Sequence, residues 1–233
     1  MDIKFTEQPK LAIGLISALV VALPQQVLAQ EEAIEEIVTT GTRAQSRSVE
    51  DSPAPVDVVC AEIRAKKPAA VFAPHVETSA GLILPDDYIT QMAAAAHEVG
   101  ALMVLDCIAS GCVWVDMEAT GVDVLISAPQ KGWSASPSAG LVMMSERAEA
   151  RLAETKSTSF AIDLGKWRSI MKAYEDGGHA YHATMPTDAL RDFHEISVET
   201  LKFGLPELKE AQLELGRQAR GTLTSKGLIS VAA

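Results

Sequence analysis

Polar and apolar positions divide the chain into two unlike parts. An uncharged apolar run covers residues 11–23, and a polar stretch rich in Glu and Ser, punctuated by Pro53 and Pro55, follows over residues 30–59. From about Glu62 the pattern becomes regular. Ala69-Ala70-Val71-Phe72-Ala73 is a short apolar run closed by Pro74, the form of a buried strand. Pro85-Asp86-Asp87 predicts a helix start, with proline and acids in its first turn. Tyr88, Ile89, Met92, Ala93, Ala96 and Val99 then recur at helical spacing, and Gly100 ends the helix. Residues 101–105, 122–126 and 140–144 are three further apolar runs. Strands and helices at these intervals predict an α/β fold built on a mainly parallel sheet. Beyond Asp163 the spacing predicts helices over residues 163–174, 187–203 and 207–225.

Composition narrows the function classes. The 233 residues are 48% hydrophobic and 22% charged, which supports a packed core in one or two domains. A formal net charge of -11 repels phosphate backbones, and the densest basic run (Arg64, Lys66, Lys67) is short, so no nucleic-acid partner is expected. Cys60, Cys107 and Cys112 are odd in number, and the spacing of the last two fits neither a zinc nor a redox motif. Cys107 and Cys112 flank an apolar stretch and read as buried reduced thiols, which favours a reducing compartment for this part of the chain. His179 and His182 lack a third ligand and read as loop residues, so no metal is expected.

The amino-terminal part has an address of its own. Lys4 and Lys10 precede the apolar run, and Val27-Leu28-Ala29 offers a small-residue cleavage site. This is the layout of a secretory signal cut after Ala29, and the run is short for a membrane span. The segment from Gln30 to Arg43 resembles the mature start of a TonB-dependent outer-membrane receptor, with Ile37-Val38-Thr39 as its TonB box. Ser52-Pro53-Ala54-Pro55-Val56-Asp57-Val58-Val59 resembles the opening of the plug. That resemblance implies TonB as a partner through Ile37-Val38-Thr39. From composition alone, residues 30–61 read as a flexible polar tail. The leader predicts export to the periplasm or outer membrane.

Candidate chemistry lies where the strands end. In an open α/β sheet, ligands sit beyond the carboxyl ends of the strands. His75-Val76-Glu77-Thr78-Ser79-Ala80-Gly81 follows the first run, Asp106 the second, and Ser127-Ala128-Pro129-Gln130-Lys131 the third. An amine and a carboxylate converging on one pocket meet the demands of pyridoxal phosphate (PLP) chemistry. The amine takes the cofactor aldehyde, and the carboxylate keeps the pyridine nitrogen protonated. Singly, each has a plainer reading: a lysine after a strand as a surface residue, an aspartate there as a turn former. The order of the motifs favours the chemistry. His75 and Glu77 read as shaping the turn, and Trp133 as packing.

Four motifs together, His75-Val76-Glu77-Thr78-Ser79-Ala80-Gly81, Leu105-Asp106-Cys107-Ile108-Ala109-Ser110, Ser127-Ala128-Pro129-Gln130-Lys131-Gly132 and Tyr181-His182-Ala183-Thr184-Met185-Pro186-Thr187, resemble the class V aminotransferases of the alanine–glyoxylate and serine–glyoxylate type. The resemblance spans residues 62–233. It implies a PLP-dependent transferase large domain of the aspartate aminotransferase type over residues 62–185. An interdomain helix and the start of a small domain would occupy 186–233. It further implies that Lys131 forms the Schiff base and moves the substrate proton. Asp106 would pair with the pyridine nitrogen, Ile108 pack on the ring, Thr78 bond near the ring oxygen or phosphate, and Gln130 contact the phosphate. Tyr181 and Thr184 would reach the phosphate of the neighbouring subunit, which implies a homodimer. The implied substrates are an amino acid and a 2-oxo acid such as glyoxylate or pyruvate, handled in the cytoplasm. A desulfurase is disfavoured, because Gln130 precedes the lysine and no cysteine follows it.

The chain departs from that family at both sides of the resemblance. No Gly/Ser-rich phosphate turn, ring-stacking aromatic or carboxylate-gripping arginine is recognised; Thr40-Gly41-Thr42 has no strand–turn–helix around it. The chain therefore reads as a receptor leader joined near residues 59–62 to part of an aminotransferase domain, by rearrangement or assembly error. Such a piece is expected to expose apolar surface and sheet edges. Three readings stand: a transaminase domain, an exported receptor fragment with incidental downstream sequence, and a non-catalytic remnant.

Overall fold

A computed structural model describes residues 56–229 and the backbone of Val38–Thr39. The expected signal segment, and the tail apart from residues 38–39 and 56–61, lie outside the described residues. Strand β1 (Val38–Thr39) comes first. Helix α1 (Val56–Lys66) follows and buries Val59, Cys60 and Ile63. The boundary expected at residue 61, and the junction expected near 59–62, both fall inside this helix, so residues 56–61 belong to the folded part. Three valines in four residues after Pro55 read as extended, but a buried stripe at Val59, Cys60 and Ile63 outweighs that local preference.

The central sheet runs in the order β1, β2 (Ala70–Pro74), β5 (Leu102–Asp106), β6 (Val124–Ser127) and β7 (Leu141–Met144). Strands β2, β5 and β6 are parallel, and β1 lies parallel along the outer side of β2 with Val38 opposite Val71. Two residues of the expected TonB box are thus an edge strand of this sheet. Strand β7 is antiparallel to β6, the one described exception to the parallel arrangement. A small antiparallel hairpin, β3 (Val76–Glu77) and β4 (Leu82–Ile83), projects from the end of β2.

Alternation along the strands builds the core. Val71, Ala73, Met103, Leu105 and Leu125 form the buried side, packed with α1 and helix α2 (Asp86–Glu98). Ala93, Ala95 and Ala96 keep α2 slender, while Ile89 and Met92 are fully buried and contribute about 2–3 kcal/mol each. The helix stops at Gly100, whose φ of 83° suits the left-handed turn. At the amino end of the sheet, the buried Asp123 carboxylate accepts the Met103 N–H (2.8 Å), bonds His97 Nε2 (2.8 Å) and accepts the Ser145 hydroxyl (3.2 Å). This ties β5, α2 and the start of helix α4 (Glu146–Ala153) to the entry of β6, which follows the single-turn helix α3 (Met117–Thr120) in the chain.

Helices α5 (Leu164–Glu175), α6 (Thr187–Phe203) and α7 (Leu205–Ser225) complete the described chain and fully bury none of their residues. Phe160, Ile162, Met171, Leu201, Phe203 and Leu215 are more than half exposed. Among the described residues, no helix is long and apolar enough to cross a membrane.

Candidate active site

Parallel register decides which side chains meet. Asp106 stands opposite Pro74 on one side and Ile126 on the other, so β2, β5 and β6 finish level at one edge of the sheet. His75, Asp106 and the turn bearing Lys131 all leave from that edge. Thr78, at the exposed turn of the β3–β4 hairpin, departs from the same end of β2.

Asp106 ends β5 with its side chain exposed, and its Oδ1 accepts the Ile108 N–H at 2.9 Å. This Asx turn fixes the carboxylate and leaves Oδ2 without a hydrogen-bond partner among the described residues. Two backbone bonds hold the turn from either side: His75 N–H donates to Asp106 O (2.9 Å) and Cys107 N–H to Ile126 O (2.8 Å). Ile108 is half-buried beside it.

Lys131 rides on an anchored turn. Ser127 and Ala128 are buried and Pro129 fully so, with the Pro129 carbonyl accepting the Ala135 N–H at 3.0 Å. The Lys131 N–H donates to Ala128 O and its carbonyl accepts the Ser134 N–H at 3.1 Å. The backbone is therefore held while the side chain is exposed, and Nζ makes no ion pair or hydrogen bond among the described residues. Gln130 is exposed beside it.

The loops after β5 and β6 are packed directly on each other. A Cβ at Gly132 would overlap the Gly111 carbonyl oxygen, and the Cys112 thiol donates to Gly132 O at 3.2 Å. From above, Gln212 of α7 accepts the Cys112 N–H and donates to Ser110 O (3.4 Å), while Lys209 donates to Trp114 O (3.0 Å). Trp133 lies 4.9 Å from the Trp114 ring and edge-on to Phe193 of α6 at 5.7 Å, the packing role its position suggests. Gly132→Ala is therefore expected to lower stability by roughly 1–3 kcal/mol, the usual scale of overpacking, because backbone rather than a mobile side chain must move. Urea titration measures it; an unchanged midpoint would show the two loops free to separate.

Other expected residues stand apart or have plainer partners. Tyr181 Oη and Thr184 Oγ1 share a hydrogen bond of 3.1 Å in the exposed segment between α5 and α6. The Glu77 carboxylate accepts the Ser79 N–H, shaping the hairpin turn as expected. His182 bonds Phe160 O and packs between Phe160 and Trp167, in keeping with a loop role. Among the described residues no His, Cys, Asp and Glu cluster could hold a metal. Burial pushes the Cys107 thiol up to about 11, which makes it a poor nucleophile. The His75 carbonyl accepts the Leu84 N–H (2.8 Å) at the base of the β3–β4 hairpin, a turn contact of the kind expected, and its ring is in addition buried and bonded to Ser110. Ser110, Gly111, Gly132 and Gln212 also frame the site, although sequence reasoning gives none of them a role; a glycine directly after the lysine is the one signal that points to them.

The class-V aminotransferase family model matches residues 33–232. The alanine–glyoxylate aminotransferase of Felis catus is 28% identical over 165 residues, covering 70% of this chain and 39% of that protein. A 2-aminoethylphosphonate–pyruvate transaminase of Burkholderia mallei is 33% identical over 143 residues, covering 60% and 37%. The structure of an alanine–glyoxylate aminotransferase from Nostoc sp. superposes with a TM-score of 0.67 at 24% identity, over 75% of this chain and 45% of that one, a likeness of fold. The chain spans about two fifths of the length of the curated relatives it matches.

Proposed function

We propose, from the premise that this chain belongs to the class-V aminotransferase family, that it carries the cofactor-holding part of a PLP-dependent transaminase. The reaction would pass an amino group from an amino acid to a 2-oxo acid, with glyoxylate or pyruvate as acceptor. The observation that carries this reading is the level ending of β2, β5 and β6, with an uncommitted amine and an uncommitted carboxylate oxygen leaving that edge. Such a donor set fits the ring end of the cofactor, which needs one amine for its aldehyde and one carboxylate for its nitrogen.

PLP supplies an aldehyde that takes up amino groups and a ring that withdraws electrons from the substrate carbon. Lys131 Nζ would hold the aldehyde carbon and, once released by substrate, take a proton from Cα and return it. Asp106 Oδ2 would keep a proton on the pyridine nitrogen, while Oδ1 stays tied to the Ile108 N–H and stops the carboxylate from turning away. The Ile108 side chain would cover one ring face and exclude water from it. Thr78 and Gln130 would donate to the ring oxygen and phosphate, and Tyr181 with Thr184 to the phosphate across a homodimer.

Half-reactions test the activity. Protein loaded with PLP and freed of excess should lose its visible absorption band on addition of L-alanine and regain it with glyoxylate. A bound chromophore unchanged by any amino acid would overturn the transaminase reading in favour of a non-catalytic remnant.

A further inference from the structure

We propose that His75 is a positioning residue for both Asp106 and Lys131. This rests on the functional reading above and adds a residue to it. His75 grips the turn over residues 106–110 at both ends: its backbone N–H donates to Asp106 O at 2.9 Å, and its ring Nδ1 shares a hydrogen bond of 2.7 Å with Ser110 Oγ. The ring is 1% exposed and Ser110 4% exposed, so neither group can find bulk water if the other is removed. Ser110 leads into Gly111, which lies against Gly132, the neighbour of Lys131. One buried ring is thereby connected to the carboxylate through its own turn and to the amine through the contact between the two loops.

The ring's environment suits a neutral clamp. Burial holds its pKa below the ordinary histidine value, with Asp86 of α2 pulling it upward and Lys209 of α7 pushing it down. A group lowered on folding binds fewer protons folded than unfolded as acid is added. Its contribution to stability is therefore full above pH about 6.5 and declines as pH falls below that value.

Hydrogen exchange on the cofactor-free chain tests the clamp, and PLP titration tests its consequence. His75→Phe fills the space without the bond, and should speed exchange about tenfold in residues 106–112 and 128–134 while sparing α2. PLP should then bind about tenfold more weakly. Ser110→Ala should act in the same direction, and the double variant should be no worse than the worse single one. His75→Asn, which can place an amide near the Nδ1 position, should recover part of the loss. The stability decline below pH about 6.5 should shrink in His75→Phe. Wild-type exchange at both segments in His75→Phe, or faster exchange spread evenly over β2 and α2, would overturn the proposal. If His75→Phe does not fold, exchange in Ser110→Ala decides the question by the same criteria. Failure of the wild-type chain to take PLP would instead overturn the functional reading, and the exchange data would still decide whether the clamp exists.

Discussion

Lys131→Ala is expected to slow both half-reactions by roughly 10³-fold or more while leaving the fold intact. Proton transfer by a positioned side chain is worth about 10²–10⁴-fold, and this lysine is asked both to hold the cofactor and to move the proton. The fold should tolerate the change because the side chain is exposed and Nζ bonds to nothing among the described residues, so stability should move by no more than about 0.5 kcal/mol. Stopped-flow absorbance gives the rates and thermal melting the stability. A variant retaining the wild-type rate would remove Lys131 from the chemistry. A variant that unfolds would instead give Lys131 a structural role that its surroundings do not suggest.

Asp106→Asn should cost roughly 10²–10³-fold in the same half-reactions, the scale for losing one preorganised charge at the reacting centre. The substitution keeps the shape of the side chain and an oxygen to accept the Ile108 N–H, so the turn should survive. What it removes is the negative charge that would hold a proton on the pyridine nitrogen. Cofactor attachment to Lys131 should therefore persist while turnover collapses, a split between binding and rate that no misfolded variant reproduces. Equal losses in attachment and rate would make Asp106 a turn former only. Asp106→Ala, which also forfeits the Ile108 bond, should weaken attachment as well.

Much of this architecture is legible in the sequence because local and tertiary preferences agree. The stretch from Pro85 to Gly100 has its acids, apolar stripe and terminal glycine in helical order, and α2 occupies Asp86–Glu98. Helix α6 covers Thr187–Phe203, the span the spacing predicts, and α7 begins at Leu205 rather than 207 because Gly204 and Pro206 already form a helix start. Helix α1 is hidden, since its valines favour strand locally and only burial against α2 makes it helical. The apolar run of β7 is readable but its direction is not, because direction depends on the path of the connection after Lys131 rather than on the strand's own residues.

The site divides in the same way. Asp106 and Lys131 are visible as strand-end residues because register is nearly implied by three apolar runs of similar length. The links among His75, Ser110, Gly111 and Gly132 are not visible, because they join loops from different strands. No periodicity encodes the approach of two turns 20 residues apart. The family match begins at residue 33, inside the stretch that resembles the start of a receptor.

Whether Lys131 holds the cofactor can be read from borohydride reduction of the chain incubated with PLP, followed by peptide mapping. One pyridoxyl adduct is expected, on the peptide containing Lys131, and none in Lys131→Ala. An adduct on another lysine, or no adduct at saturating cofactor, would contradict the assignment.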